Sequence, residues 1–493
     1  MSNSSFTSIF DQLRQLGESH SQKQKGTSFE KLCLRFLQEE PVFRERFSQV
    51  WLWMDWPHRN GRQDQGIDLV AQEAASGDYC AIQCKCYSPE HVLSLENLGT
   101  YYASVGMDWG EDGSIHFASG MIIATTDKWN TKLSDTIEKH SFPCKRIGLS
   151  ELNDYAVDWE KLVRGEKEVL RPHHATRPHQ KLAIDDVMRG FETEDRGKLI
   201  MACGTGKTFT SLKLMERFIN ERCGGRGCVL FLAPSIALVS QSLREWMAQT
   251  EINMHPIAVC SDSQASQLED ADLCAADLPE PASTNPRTIN RNYLKFKDTH
   301  TCVVFSTYQS IDKVSEAQKH GALPEFDLII CDEAHRTTGV SLRTESGAYD
   351  ESSFVHVHDN NFIAGRKRLY MTATPRIYTE TAKSKAAEAD ALIASMDDLL
   401  TYGPEFHRLP FSRAVKENLL TDYKVLVLCV DEDSVKEHFA QELQAHDGEL
   451  DLDDAVKLIG CYNGLRKQQI RTINSVAYRD DEESDDEDTD PSR

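Results

Sequence analysis

One glycine-rich octapeptide constrains the fold of this chain more than any other feature. Met201-Ala202-Cys203-Gly204-Thr205-Gly206-Lys207-Thr208 ends a short apolar segment and opens a long amphipathic one. Glycines allow a backbone to wrap closely round phosphate, and the first amides of the following helix point towards it. Gly204, Thr205 and Gly206 would form this cradle, Lys207 would reach the β- and γ-phosphates of a nucleotide, and Thr208 would hold Mg²⁺. The octapeptide predicts a strand, a phosphate-binding loop and a helix, in that order.

The pattern round this loop is that of an α/β domain. From Arg177 to about Thr374, short apolar segments alternate with longer amphipathic ones, which is typical of a parallel sheet with crossover helices. A polar stretch from Ser261 to His300, rich in Ser, Asp and Pro, is predicted to be a mobile insertion. The predicted strands are Lys198–Ala202, Val229–Ala233, Cys302–Ser306, Leu328–Cys331 and Arg368–Thr372.

An acidic motif follows one of these strands directly. Asp332-Glu333-Ala334-His335 comes immediately after Leu328-Ile329-Ile330-Cys331. A carboxylate at the carboxyl end of a strand can approach Mg²⁺, and its neighbour can orient the attacking water. We therefore expect Asp332 to bind the metal, Glu333 to act on the water, and His335 to lie in the same nucleotide site. The same four residues also occur on solvated helices, so this interpretation depends on the phosphate loop upstream.

Together the motifs resemble the first RecA-like lobe of a superfamily 2 helicase or translocase of the DEAH type. The resemblance implies that the substrates are ATP and double-stranded DNA, that Gln180 reads adenine, and that Thr372–Thr374 couples hydrolysis to DNA. The remaining motifs, in chain order, are Arg177-Pro178-His179-Gln180, Ala233-Pro234-Ser235, Ser306-Thr307-Tyr308-Gln309 and Thr372-Ala373-Thr374-Pro375.

The second half of such a motor is only partly visible. Enzymes of this superfamily need a second RecA-like lobe with an arginine finger, typically in a QxxGRxxR-like string, and no such string follows Thr374. A strand at Lys424–Val430 and a helix from about Ser434 to Ala445 predict a truncated second lobe, with a small helical appendage as the alternative. The ATPase site is therefore expected to be incomplete within this chain.

Residues 26–87 hold a second set of polar residues. Glu30 lies in an amphipathic stretch, Asp68 heads a predicted strand, and Gln83 and Lys85 share one face of the next strand. Two carboxylates, an amide carbonyl and a lysine at one edge suit metal-assisted phosphodiester hydrolysis. Asp68 would bind Mg²⁺ with help from Glu30 and Gln83, and Lys85 would orient water and stabilise negative charge. In the alternative, Asp68 caps a turn and Lys85 is an ordinary strand lysine.

This second pattern resembles the PD-(D/E)xK nuclease fold in its Mrr-like restriction endonuclease variant, in which QxK replaces ExK. Gln83 then supplies one negative charge fewer at the metal than a glutamate would. An aromatic run, Val50-Trp51-Leu52-Trp53-Met54-Asp55-Trp56, precedes the motif. We expect these tryptophans to pack against the core, with a stacking platform for bases as the alternative.

A nuclease ahead of such a motor resembles the N-terminal half of a type ISP restriction-modification enzyme. In that family, methyltransferase and target-recognition domains share the polypeptide. No motif for either occurs here, so they are expected as separate subunits or as further domains of a longer chain. Composition shifts and the resemblance together predict an Mrr-like domain at residues 1–163, a linker at 164–176, a first RecA-like lobe at 177–410 and a partial second lobe at 411–478. The run of acidic residues predicts a disordered tail at 479–493.

Charge and hydropathy limit the remaining choices. The formal net charge is −23, which argues against a simple nucleic-acid-coating protein, although residues 479–493 contribute nine acids and two arginines to it. No apolar run approaches the length of a membrane span, so a cytoplasmic protein without membrane contact is expected. We expect an ATP-dependent DNA restriction nuclease. The alternatives are a DNA-repair helicase–nuclease and a catalytically incomplete fragment that binds DNA and ATP and needs a partner.

Overall fold

A computed structural model describes residues 6–7, 9, 22–63, 65–139, 142–261, 278–343, 349–350, 354–381, 384 and 391–422. Residues up to Leu420 form one compact unit, to which the following description applies. The predicted strand Lys424–Val430, the helix from Ser434 to Ala445, and the acidic tail lie outside the described residues. The same is true of the predicted second lobe after residue 422. No helix in the described ranges combines the length and apolarity needed to cross a membrane.

The first domain is built round a five-stranded sheet in which strands follow one another in chain order. Its strands are β1 (Phe47–Leu52), β2 (Leu69–Glu73), β3 (Tyr79–Lys85), β4 (Phe117–Ala124) and β5 (Cys144–Ile147). Strands β1, β2 and β3 pair antiparallel, whereas β3, β4 and β5 pair parallel. Its helices are α1 (Gln22–Glu39), α2 (Pro41–Arg46), α3 (Gly99–Val105), α4 (Thr131–Lys139), α5 (Leu149–Asp154) and α6 (Trp159–Arg164).

Two apolar layers enclose this sheet. On one side Phe36 of α1 packs against Phe43 of α2 and Trp159 of α6. On the other side Trp53 and Trp56 are 4% and 1% exposed and pack with Trp109. The expectation that the tryptophan run packs in the core is therefore met by these two residues. Strand β1 ends at Leu52, so Trp53 opens a single 3₁₀ turn instead of continuing the strand.

The second domain contains a seven-stranded parallel sheet and a small three-stranded antiparallel one. Its strands are β6 (Arg196–Met201), β7 (Cys228–Ala233), β8 (Met254–Val259), β9 (Thr301–Thr307), β10 (Phe326–Cys331), β11 (Gly339–Arg343), β12 (Tyr349–Asp350), β13 (Gly365–Thr372), β14 (Ala391–Ala394) and β15 (Glu405–Leu409). The orders are β15-β6-β13-β10-β7-β9-β8 and β12-β11-β14. Its helices are α7 (Pro178–Thr193), α8 (Lys207–Arg222), α9 (Ile236–Gln249), α10 (Pro286–Phe296), α11 (Ile311–Lys319), α12 (Leu399–Tyr402) and α13 (Phe411–Lys416).

The α/β class and all five predicted strands of this domain are confirmed, each strand with bounds that differ by a few residues. The prediction of a mobile insertion from Ser261 to His300 is wrong for its second half, which contains α10. Asn285 begins this helix, because its side chain accepts a hydrogen bond of 2.9 Å from the Arg287 amide, and Pro286 occupies the first turn. Ile289 then anchors the helix in the core.

Polar groups from the two domains meet at the end of α2. The buried Arg46 guanidinium pairs with Glu73 at 2.7 Å and donates to the Pro279 carbonyl of the second domain at 3.0 Å. Beside it, Glu45 accepts from the ring of His255 on β8 at 2.9 Å. Glu73 ends β2, whereas Asp68 directly precedes β2. The second domain therefore contacts the end of the first sheet that lies away from Asp68.

We expect Arg46→Met to destabilise the protein by about 3–5 kcal/mol, because the buried Glu73 carboxylate would lose its counter-charge. Urea unfolding followed by tryptophan fluorescence measures this change. Arg44→Met, an exposed arginine on the same helix, is the matched control. Equal stabilities of the two variants would show that the Arg46 ion pair adds nothing.

Glu40, between α1 and α2, makes stability depend on pH. Burial raises the pKa of its carboxyl to about 8, against the lowering effect of the Val157 amide, which donates to it at 3.1 Å. The folded protein thus keeps a proton that the unfolded chain loses above about pH 4.5, so this group's contribution falls as pH rises towards 8.

Glu40→Gln removes this titration. Its stability relative to the parent protein should increase between pH 5 and pH 8 by more than about 1 kcal/mol, the equivalent of one pKa unit. Denaturant unfolding at both pH values measures the difference, with Glu39→Gln as the control. A difference that stays constant with pH would contradict a raised pKa at Glu40.

Candidate active sites

The pairing of β2 with β3 assembles the first site. Leu69 lies opposite Ile82 in this antiparallel pair. Asp68, which precedes Leu69, therefore lies beside Gln83. One carboxylate oxygen of Asp68 accepts hydrogen bonds from the Gln83 side-chain amide and from the Cys84 backbone amide, the latter at 2.7 Å. The predicted Asp68–Gln83 neighbourhood is therefore present in the structure.

Helix α1 brings Glu30 to the same strand. Burial, first of all, raises the pKa of the Cys84 thiol, and the neighbouring Cys33 and the charges of Asp68 and Glu30 raise it further. Glu30 and Asp68 thus both lie within electrostatic range of the Cys84 thiol, while a contact of Glu30 with a metal stays a prediction. Lys85 ends β3 and is half-exposed, and alternation along the strand gives it the same face as Gln83.

The Gln83 side-chain oxygen is the clearest sign of a ligand at this site. It is buried and has no hydrogen-bond partner among the described residues. A carboxylate and an amide oxygen are ligands that a hard cation such as Mg²⁺ prefers. No group of three or more His, Cys, Asp or Glu side chains in the described ranges is arranged to hold a metal. These residues fit a divalent cation held by few protein ligands, with solvent or phosphate oxygens completing its shell.

Exchanging the amide for an acid tests this reading. In Gln83→Glu, two carboxylates would face each other where an amide now donates to Asp68. Without metal we expect a loss of about 1–3 kcal/mol in stability, since a hydrogen bond becomes a like-charge contact.

Addition of Mg²⁺ should recover most of that loss, because an extra carboxylate strengthens cation binding. Thermal melting with Mg²⁺ and with EDTA measures both effects. Gln49→Glu, an exposed glutamine on β1, is the control. A Gln83→Glu protein whose melting temperature does not respond to Mg²⁺ would contradict a metal site here.

The second site begins at the carboxyl end of β6. Gly204 and Gly206 have φ angles of +81° and +84°, which favour glycine, and the Thr205 hydroxyl donates to the Ala202 carbonyl at 2.7 Å. Helix α8 starts at Lys207, so the loop leads directly into a helix N-terminus. The octapeptide thus folds as the predicted strand, loop and helix.

Asp332 lies at the carboxyl end of β10 on the same edge of the sheet. Its side chain is buried, and one carboxylate oxygen has no partner among the described residues. Burial, and next the charge of Glu333, raise the pKa of Asp332 to about 6, whereas the nearby Lys207 lowers it. A buried carboxylate with one unpaired oxygen, close to Lys207 of the phosphate loop, fits a bound Mg²⁺.

Glu333 and His335 follow in a tight turn. Glu333 has a φ of +46°, unusual for a residue other than glycine, and its carboxylate lies 3.3 Å from the His335 ring. Nδ1 of that ring also lies 3.0 Å from the Thr372 hydroxyl. The structure thus links the acidic motif to Thr372 through His335, while a direct contact of His335 with nucleotide stays a prediction.

Gln180 lies against the phosphate loop. Its side-chain oxygen accepts from the Arg177 amide at 2.9 Å, and its amide group lies 3.4 Å from the Thr205 carbonyl. A Cβ atom at Gly206 would approach the Gln180 amide nitrogen to 2.6 Å, but that nitrogen ends a flexible side chain, so the φ of +84° is the main reason for glycine at this position. Recognition of adenine by Gln180 stays a prediction.

Three supporting contacts were not predicted from the sequence. His179 contacts the Thr205 carbonyl at 3.0 Å, the Trp246 indole donates to the Thr208 carbonyl at 3.2 Å, and the Tyr308 hydroxyl donates to the Asp332 carbonyl at 2.8 Å. His179 and Tyr308 belong to motifs identified in the sequence, and this membership could have indicated that they contact the site. Trp246 lies in an amphipathic helix and carried no such signal.

Two protein-family models match the chain. The one described as "Restriction endonuclease" covers residues 38–169, and the one described as "Type III restriction enzyme, res subunit" covers residues 173–377. The chain carries a restriction endonuclease domain followed by a helicase-type ATPase domain. The order of the two domains, nuclease before motor, is as predicted.

Solved and curated relatives agree with this assignment. The chain is similar to the ATP-dependent type ISP restriction-modification enzyme LlaBIII bound to DNA, with a TM-score of 0.71 and 37% identity over 92% of this chain and 28% of that one. The probable helicase A859L of African swine fever virus is 29% identical over 203 residues, 41% of this chain and 20% of that protein. The predicted resemblance to type ISP enzymes is confirmed, and the chain spans only a minor part of either relative.

Proposed function

We propose that this chain is the nuclease and motor part of an ATP-dependent DNA restriction system that acts on double-stranded foreign DNA. The observation that carries the proposal is the presence of two separate sites with unpaired buried ligand oxygens, on Gln83 and Asp332, within one compact unit. One site suits phosphodiester hydrolysis and the other suits ATP hydrolysis. DNA and ATP are both available in the cytoplasm, where we place this activity.

In the nuclease domain, Asp68 and the Gln83 oxygen would hold Mg²⁺, with help from Glu30. The cation would supply charge stabilisation and activation of a water molecule when it is bound. Lys85, on the same face as Gln83, would orient that water and stabilise the negative charge that develops on the phosphate. The hydrogen bond from the Cys84 amide keeps the Asp68 carboxylate turned towards this edge.

In the motor domain, Gly204, Thr205 and Gly206 would cradle the phosphates of ATP, and Lys207 would neutralise their charge. Thr208 and Asp332 would hold Mg²⁺, and Glu333 would orient the attacking water. Gln180 would read the adenine ring. Through its contact with Thr372, His335 would pass a change at the acidic motif to the segment that is expected to respond to DNA.

DNA is the proposed partner of both domains, and LlaBIII, the similar solved structure, is described as bound to DNA. Target recognition and methylation would come from further domains or separate subunits. The alternative is a catalytically incomplete chain that binds DNA and ATP and needs a partner. The neutral Gln83 in place of an acid favours this alternative for the nuclease site.

Two lysine variants separate the proposed activities. Lys207→Ala should abolish tight ATP binding and ATP hydrolysis. Lys85→Ala should reduce Mg²⁺-dependent cleavage of duplex DNA by about a hundredfold or more, because one stabilising charge is lost, and should leave ATP hydrolysis unchanged. Nucleotide binding, ATP turnover with and without duplex DNA, and plasmid cleavage measure these effects.

Lys132→Ala and Lys181→Ala, exposed lysines on α4 and α7, are the matched controls. Unchanged ATP binding in Lys207→Ala would refute the phosphate-loop assignment. Cleavage that survives Lys85→Ala would refute the nuclease assignment. ATP binding without turnover or cleavage in the parent protein would favour the incomplete chain.

A further inference from the structure

The Thr205–Gly206 peptide of the phosphate loop ends at a glycine in the left-handed region. Gly206 has a φ of +84°, and as a glycine it tolerates either direction of this peptide plane. Thr205 itself is fixed, because its hydroxyl donates to Ala202 at 2.7 Å and its side chain is buried. The direction of the peptide plane therefore depends on what its carbonyl contacts.

That carbonyl contacts the N-terminus of α7. Nε2 of His179 lies 3.0 Å from the Thr205 oxygen, and because a carbonyl can only accept, His179 must donate from Nε2. The Gln180 amide is more distant, at 3.4 Å, and its oxygen is already engaged by the Arg177 amide. His179 is buried, and its other ring nitrogen has no partner among the described residues. The donation to Thr205 is thus the principal polar interaction of this ring.

The contact at the Thr205 carbonyl also determines the direction of the Gly206 amide. All peptide bonds in the described residues are trans, so the carbonyl of Thr205 and the amide of Gly206 point in opposite directions. A carbonyl held towards α7 turns the Gly206 amide away from α7. No acceptor for this amide is found in the described part of the chain.

We infer that His179 is a positioning residue for the phosphate loop: by holding the Thr205 carbonyl, it keeps the Gly206 amide directed at the phosphates of a bound nucleotide. This inference rests on the proposed function of the loop as an ATP site. Without the donor, the Thr205–Gly206 peptide can flip about its glycine, and the carbonyl oxygen then faces the phosphates. The role belongs to His179 and is separate from the adenine recognition expected of Gln180.

Three substitutions distinguish the donor from the bulk of the ring. His179→Phe keeps a ring and removes the donor. His179→Gln places an amide nitrogen the same number of bonds from Cβ as Nε2, whereas His179→Asn places it one bond nearer and out of reach. Circular dichroism melting shows whether each variant folds. If His179→Phe does not fold, the comparison of His179→Gln with His179→Asn still tests the donor, because both variants carry an amide and only the first reaches the carbonyl.

Affinities for mant-ATP and mant-ADP, with adenosine as a competitor, give the readout. His179→Phe and His179→Asn should bind both mant-nucleotides about tenfold more weakly or worse, as expected for one lost hydrogen bond to a charged group. His179→Gln should stay within about threefold of the parent, since its donor reaches the same carbonyl. Adenosine should bind all variants alike, because it has no phosphate.

Each other outcome decides against the inference. Parent-like mant-ATP affinity in His179→Phe would show that the contact does not direct the loop. An equal loss for adenosine would place His179 in base binding or general folding, as would a His179→Gln protein as weak as His179→Asn. Lys207→Ala is measured alongside. If it binds mant-ATP normally, the proposed ATP site fails, whereas a loss in Lys207→Ala with a normal His179→Phe overturns only the role of His179.

Discussion

The parallel alignment of β6, β13 and β10 is the constraint on which the motor site depends. Parallel strands place their carboxyl ends on one edge of a sheet, so the phosphate loop after β6 and Asp332 after β10 are brought together although more than a hundred residues separate them. The intervening strand β13 ends at Thr372 on the same edge, within reach of His335. The residues expected to contact nucleotide and those expected to respond to DNA therefore lie side by side at the carboxyl ends of these three strands.

The strands and motifs at this edge of the sheet could be predicted from the sequence, because each strand is a short apolar run followed by a polar motif. Buried parallel strands are apolar on both faces, which makes them easy to recognise, and glycines in the phosphate loop are required by φ angles near +80°. The sequence was not sufficient where structure depends on capping and remote contacts. Helix α10 was not predicted, because Asn285 and Pro286 are residues typical of loops. The structure shows that they begin a helix whose residue Ile289 is buried in the core.

The nuclease site depends instead on the antiparallel register between β2 and β3. A shift of one residue between β2 and β3 would move Gln83 away from Asp68 and turn it to the other face. Alternation along a strand predicted that Gln83 and Lys85 share a face, but it could not show that the Gln83 amide donates to Asp68 and leaves its oxygen unpaired. That arrangement follows from the pairing partner, which a single strand pattern does not contain.

The nuclease site and the contact between the two domains lie at opposite ends of β2. Arg46 and Glu45 join the domains at the end of β2 that carries Glu73, whereas Asp68 lies at the other end of that strand. Each strand residue advances about 3.3 Å, so the candidate metal ligand lies more than a dozen ångströms along the strand from the Arg46–Glu73 ion pair. Strand β2 pairs with β1 on one side and with β3 on the other, so the domain contact and Asp68 belong to one sheet. The local geometry of Asp68 and Gln83 is therefore set by strand pairing within the first domain, away from the contact with the second domain.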